Sequence, residues 1–341
     1  MSRSDRFLKA CRGEPVDTTP VWIMRQAGRY MAEYRAVRQK YTFLEVCHLP
    51  EVACEVTLQP VDRLGVDAAI LFSDIMIPLE GMGCDIDFDP GPVFSQPVRT
   101  AADVERLRVC RPEEDVPYVL ESVRLIRREL AGKVPLIGFS GAPFTLASYM
   151  VEGKGSREFA TFKGLLYSAP KVYQSLMEKV TATVIAYLNA QIAAGVQAVQ
   201  LFDTWGGILS PGDYAEYVLP YSKRVIAELD RSVPVIHFVK GAGCFLETVM
   251  EAGGDVLGVD WHLELSEAIR RVGGAFSLQG NLDPTVLLGP RDLAAQKTRA
   301  VVAQGKAARG HIFNLGHGVL PSTPVETAIA VVEAAHEEGQ R

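Results

Sequence analysis

Eight short apolar runs, rich in β-branched and aromatic residues, punctuate the chain: Val21 to Ile23, Ala68 to Phe72, Val134 to Phe139, Ala198 to Phe202, Val233 to Phe238, Val256 to Val259, Phe276 to Leu278 and His311 to Leu315. They do not alternate polar with apolar, which is the pattern of strands buried on both faces, as in a parallel sheet covered by helices. The segments between them are long enough for helices. In the clearest, Ser168 to Ala194, the residues Val172, Leu176, Val180, Val184, Leu188 and Ile192 form one apolar stripe. Thr323, Pro324 and Glu326 read as cap, first-turn proline and capping-box glutamate of a last helix. Between the second and third runs, Cys84 to Val98 alternates around a Pro-Gly-Pro turn and predicts a short β-hairpin insertion.

Strand-helix units repeated in one uninterrupted chain predict an α/β fold, a (β/α)8 TIM barrel forming a single domain over residues 1–341, with an open doubly wound sheet as the alternative. The length of 341 residues suits one such barrel, and 48% hydrophobic with 22% charged residues is ordinary globular composition. Only the last few residues, Glu337 to Arg341, read as disordered. With 35 basic against 41 acidic residues the net charge is −6, which argues against a nucleic-acid or anionic-membrane partner. The N-terminus lacks a signal-like apolar core and no run approaches a membrane span, so a soluble cytoplasmic protein is expected. Six cysteines, at 11, 47, 54, 84, 110 and 244, include no C-x-x-C pair, and reduced thiols are expected.

Against this acidic background, Met24 to Lys40 gathers Arg25, Arg29, Arg35 and Arg38 with Glu33 as the one opposing charge. Gln26, Ala27 and Gly28 make the first half a poor amphipathic helix, so a loop gripping an anion is the better reading, with pairing to distant carboxylates as the plain alternative. In a barrel, chemistry collects in the loops after the carboxyl ends of the strands. Those positions hold Arg25 and Arg29; Ser73 and Asp74; Ser140, Gly141 and, further on, Tyr149; Asp203 and Thr204; Lys240; Asp260 and His262; Gln279 and Asn281; Gly316 and His317. Several donors, at least two cations and a central acid suit a large polyanion that also offers N–H groups. Each residue has a plainer reading: Asp74 as a turn or capping aspartate, Tyr149 as core, Thr204 as a cap, Asp203 as an arginine partner, His237 as a core histidine. His317, between Gly316 and Gly318, is the most suggestive histidine.

Other motifs fall short. GFSGA, at residues 138–142, lacks the final glycine of a serine nucleophile elbow, and KGAGCFLE, at 240–247, lacks the endings of nucleotide-binding loops. No metal-ligating spacing is present, so no metal site is expected.

Taken together, PVWIMRQAGRY, LFSDI, GFSGAPFTLASYMVEG, QLFDTWGG, HFVKG, GVDW, LQGNLDP and FNLGHGVLPSTP resemble, in that order, the uroporphyrinogen decarboxylase family. The resemblance runs from about Asp5 to Val332. It implies a single-domain (β/α)8 barrel, usually a homodimer, that works without metal or organic cofactor and converts the acetate arms of uroporphyrinogen to methyls. It also implies that Arg25, Gln26, Ala27, Gly28 and Arg29 contact substrate carboxylates, with Arg38 a further contact. Asp74 would accept hydrogen bonds from the pyrrole N–H groups, and Tyr149, Thr204 and His317 would touch the macrocycle. The catalytic assignment implied is Asp74 with Arg25 and Arg29, the proton donor staying open between these arginines, a water and the substrate's own acid. Two alternatives stand beside it: a zinc-dependent cobalamin methyltransferase of similar fold, which needs cysteines where this chain has His237-Phe238-Val239 and Gly316-His317-Gly318, and a tetrapyrrole-binding protein without catalysis.

Overall fold

The computed structural model describes residues 1–88 and 91–341. Among the described residues nine strands form: β1 (Ala69–Ile70), β2 (Ile86–Asp87), β3 (Val93–Phe94), β4 (Leu136–Gly141), β5 (Ala198–Asp203), β6 (Val235–Val239), β7 (Val256–Gly258), β8 (Ser277–Gln279) and β9 (His311–Ile312). Seven make one parallel sheet in the order β1-β4-β5-β6-β7-β8-β9, with helices in the connections. Antiparallel β2 and β3 are the expected insertion, pairing Ile86 with Phe94; the Asp89-Pro90 part of its turn lies outside the described residues.

The first apolar run departs from expectation. Val21 to Ile23 forms a single parallel bridge, Val21 to Phe313, instead of a strand. Side chains capture the amides a ladder would use: Val21 donates to Asp67 Oδ2 at 2.8 Å, Ile23 to Gln26 Oε1 at 3.1 Å and Met24 to Asn314 Oδ1 at 2.9 Å. The segment still closes the ring, because Trp22 donates to the Phe313 carbonyl while Asp67 donates to that of Val21. Asp67, fully buried, rivets the seam: it also accepts from Arg6 at 2.6 Å and lies 2.6 Å from His336 Nε2. The sheet is thus curled through eight staves, one of them without regular strand structure.

The long helix is observed at Pro170–Ala194, two residues shorter than predicted because a proline takes its first position. Leu176, Val180, Val184, Leu188 and Ile192 are buried as its stripe requires. The final helix corrects the sequence reading: it starts at Val325 without a side-chain cap, and the hydroxyl of buried Thr323 has no partner among the described residues. Nor is the end of the chain loose. The helix continues to Glu338, Glu337 and Glu338 bond Arg299 and Lys306 at 2.8 Å each, and Arg341 donates its amide to the Asp17 carbonyl. All six cysteines are free thiols.

The lumen is filled in layers. Gln279 bridges Trp22 Nε1 at 2.9 Å and Gln200 Oε1 at 3.1 Å; β8 and β5 are not neighbours, so this string crosses the interior. Phe202, two residues beyond Gln200, faces the same way one layer nearer the carboxyl ends. Its ring meets Phe139 at 5.7 Å and Phe238 at 6.2 Å. These rings floor the mouth, and Phe238 lies 6.3 Å from His317.

Candidate active site

The Arg25 loop is built by a buried brace. Gln26 accepts from the Ile23 amide and donates Nε2 to the Ala68 carbonyl at 3.1 Å, while Tyr30 donates its hydroxyl to the Gln26 carbonyl at 2.7 Å. The Gln26 side chain is therefore committed to tying this loop to the stave of β1. The amides of Ala27, Gly28 and Arg29 make no intramolecular hydrogen bond among the described residues. Arg25 stands at φ 64, in the left-handed region unusual for a side-chain-bearing residue. Among the described residues none of Arg25, Arg29, Arg35 or Arg38 forms a salt bridge, so the cluster is not neutralised by distant carboxylates as the plain reading had it. Arg35 has a local role, donating to the carbonyls of Arg29 and Tyr30. Arg38 donates Nε to the Tyr41 carbonyl and lies 5.6 Å over Phe43, whose ring packs on Phe72 just ahead of Ser73.

Asp74 follows β1. Its Oδ1 accepts the Met76 amide at 2.9 Å and its carbonyl accepts that of Ile77, opening the helix Ile77–Gly81. The turn-aspartate role thus uses one carboxylate oxygen; the second makes no hydrogen bond among the described residues. Burial raises its pKa above the ordinary carboxylate range, opposed by the Met76 amide and by the charge of Arg25. The same Arg25 charge reaches Tyr149 and His317. Arg29 is exposed and its charge registers at none of the three.

Tyr149, on the helix Pro143–Glu152, is set among aromatics, its ring 6.2 Å from Trp205 and 5.7 Å from Phe159, with the Trp205 side chain acting on its hydroxyl. Thr204 follows Asp203, which among the described residues pairs with no arginine. Buried Asp203 instead accepts from Thr145 Oγ1 at 2.6 Å and the Gly206 amide at 3.1 Å, and burial pushes it up to about 6. Asp260 likewise accepts from the amides of Gly241 and His262, and Asn281 donates to the carbonyls of Asp260 and Leu263. These strand-end groups hold the loops in shape.

His317 needs its flanking glycines for close approach; neither has a positive φ. A Cβ on Gly316 would stand 2.7 Å from the Trp261 amide, and one on Gly318 would strike the stem of Arg25. Burial, with Arg25 and Lys240 nearby, lowers the His317 pKa to about 3, so the imidazole is neutral at physiological pH. Lys240 is the residue that strand-end reading noticed without assigning. Its Nζ stands 6.0 Å from the ring centre of Trp205 and 5.7 Å from that of Trp261. Adjacent strand ends carrying a lysine and two tryptophans were the available signal.

A stability consequence follows from the buried histidines. Burial lowers His237 and His311 to about 4 each, and His317 to about 3. Each is held neutral when folded, so the stability it contributes is present above the unfolded value near 6.5 and is lost as pH falls through the folded one. Asp203 and Asp74 have raised pKa values and work in the opposite sense, stabilising the fold on acidification. The three histidines outnumber the two carboxyls, so unfolding takes up protons on balance and stability falls as the pH falls. Urea midpoints are expected to fall between pH 6.5 and 4.5, more steeply in Asp203→Asn; a flat profile in both proteins would contradict this.

The uroporphyrinogen decarboxylase (URO-D) family model matches residues 2–338. Relatives named uroporphyrinogen decarboxylase include one from Geobacter metallireducens, 62% identical over 99% of this chain and 100% of its own, and one from Geobacter sulfurreducens, 61% identical with the same coverage. Among solved structures, a methyltransferase from Methanosarcina mazei superposes with a TM-score of 0.81 over 99% of both chains. At 22% identity that likeness carries the fold alone, and the fold is the barrel anticipated from the eight apolar runs. The stretches His237-Phe238-Val239 and Gly316-His317-Gly318, where the methyltransferase alternative needs cysteines, hold none. The full-length match in sequence therefore decides the family: the chain belongs to the uroporphyrinogen decarboxylases.

Proposed function

We propose that this protein is a uroporphyrinogen decarboxylase, converting the four acetate side chains of uroporphyrinogen III to methyls and so giving coproporphyrinogen III. The observation that carries the reading is the uncommitted oxygen of Asp74 after β1, with the charge of Arg25 acting on it as on Tyr149 and His317. Loss of CO2 from an acetate on an electron-rich pyrrole leaves an electron pair that needs a sink. Protonation of the ring carbon beside the acetate provides one as an iminium cation. The C–C electrons then flow into the ring as CO2 departs, a second proton converts the resulting methylene to methyl, and the ring carbon gives up the first proton to restore the pyrrole. Because the protonated ring is the sink, this chemistry requires no metal or organic cofactor.

In this reading Asp74 accepts pyrrole N–H groups and stabilises the cation as it forms. Arg25, Arg29 and Arg38, with the free amides of Ala27, Gly28 and Arg29, hold carboxylates of the substrate. Gln26 contributes by keeping that loop in place. Tyr149, Thr204 and neutral His317 contact the macrocycle. The reading also takes the chain as a single barrel domain acting as a homodimer in the cytoplasm, with no nucleic-acid or membrane partner. In keeping with the last, no described helix is long and apolar enough to cross a membrane.

Incubation with uroporphyrinogen under anaerobic conditions, followed by chromatography of the oxidised products, is expected to show stepwise loss of carboxyl groups down to the coproporphyrin level. Binding with every carboxyl retained would overturn the decarboxylase reading.

A further inference from the structure

Lys240 has the surroundings of a group waiting for an anion. It is half-buried at the end of β6, and its Nζ makes neither a hydrogen bond nor a salt bridge among the described residues. The indole faces of Trp205 and Trp261 attract the ammonium but accept none of its three donors in the way an oxygen would. A partly desolvated ammonium without an acceptor is costly, and an incoming carboxylate supplies what is missing.

The backbone around it is fixed from both sides. Lys240 donates its amide to the Asp203 carbonyl at 3.1 Å, and Gly241, at φ 78, donates to the Asp260 carboxylate. Gly207 must lack a side chain, because a Cβ there would collide with the Lys240 carbonyl. Both indoles are positioned too: the Trp205 amide donates to Thr145 Oγ1 at 3.1 Å, and Trp261 lies against Gly316. Such bracing of a half-buried lysine would serve no purpose if its ammonium merely pointed to solvent.

The ring of staves gives the direction. Counting the Val21 bridge as the first stave, β6 is the fifth of eight and lies across the mouth from the Arg25 loop. His317, on the stave next to the first, feels the charges of both Arg25 and Lys240. A tetrapyrrole bears carboxylates all round its rim, so a clamp on one side leaves others to be met opposite. Resting on the decarboxylase reading above, we propose that Lys240 is a second carboxylate-binding group of the substrate site, set between Trp205 and Trp261 to hold the rim of the macrocycle opposite the arginine loop.

The test is steady-state kinetics on Lys240→Met, Lys240→Gln and Lys240→Arg with uroporphyrinogen III at low and high salt, with coproporphyrinogen III as the binding probe. Loss of one charge-assisted hydrogen bond predicts that the Met and Gln variants raise KM about tenfold at low salt. The loss falls mainly on KM, weakens coproporphyrinogen binding in parallel, narrows with salt and is largely restored by arginine. A KM unchanged in Lys240→Met and Lys240→Gln, a defect confined to kcat, or failure of both to fold would overturn the proposal. If the parent protein itself neither turns over uroporphyrinogen nor binds coproporphyrinogen, it is the functional reading that fails. A parent that does both alongside variants of parental affinity sinks only the role of Lys240.

Discussion

Asp74→Asn is expected to remain folded and to lose about a hundredfold to a thousandfold in kcat, the range found when a group aimed at developing transition-state charge is removed. Asparagine keeps an oxygen for the Met76 amide, so the turn into the helix Ile77–Gly81 survives. What disappears is the negative charge facing the pyrrole nitrogens. The pH profile gives an independent check. In the free enzyme burial raises the Asp74 pKa, against the smaller opposing effects of the Met76 amide and Arg25. Pyrrole N–H groups bonded to the carboxylate favour its charged form, lowering that pKa once substrate is bound. The acid limb of kcat/KM, which reports free enzyme, is therefore expected at higher pH than the acid limb of kcat. His317 does not account for a limb near neutrality, since it stays neutral down to about 3. Near-parental turnover by a folded Asp74→Asn protein would remove the carboxylate from the mechanism.

The barrel was legible because parallel strands buried on both faces leave uninterrupted apolar runs, and seven of the eight runs overlap observed strands. Val21 to Ile23 reads the same way, but its amides are taken by Asp67, Gln26 and Asn314, and the first and last of these are far off in sequence. Apolar periodicity cannot register competition from distant side chains. Thr323 failed as a cap for a related reason: it is buried, so tertiary packing overrode a local signal. Strand-end position listed Arg25, Asp74, Tyr149 and His317 together with Asp203, Asp260 and Asn281. It did not separate groups facing the mouth from those holding loops, such as Asp203 on Thr145 or Gln26 on the Ala68 carbonyl, because the partners lie 58 and 42 residues away. The glycines flanking His317 read as backbone freedom, but neither has a positive φ, and it is close contact with Trp261 and Arg25 that leaves no room for a Cβ.

Arg25 should show the sharpest opposition between activity and stability. It combines two tasks, binding a substrate carboxylate and supplying the positive field that favours ionised Asp74, so Arg25→Gly is expected to lower kcat/KM by about a hundredfold or more. Yet the arginine sits at φ 64, where a residue with a Cβ is strained by about 1 to 2 kcal/mol. Glycine relieves that strain, offset by about 0.5 to 1 kcal/mol of extra chain entropy in the unfolded state. The variant should therefore be no less stable than the parent in urea, and its acid limb in kcat/KM should move to still higher pH as Asp74 loses its cationic neighbour. Arg25→Lys separates charge from shape: it retains the field at Asp74 but loses the planar donor fork, so the limb stays near its parental position while KM rises. An Arg25→Gly protein that is both less stable and fully active would mean that the left-handed arginine serves the loop, with no part in holding the anion.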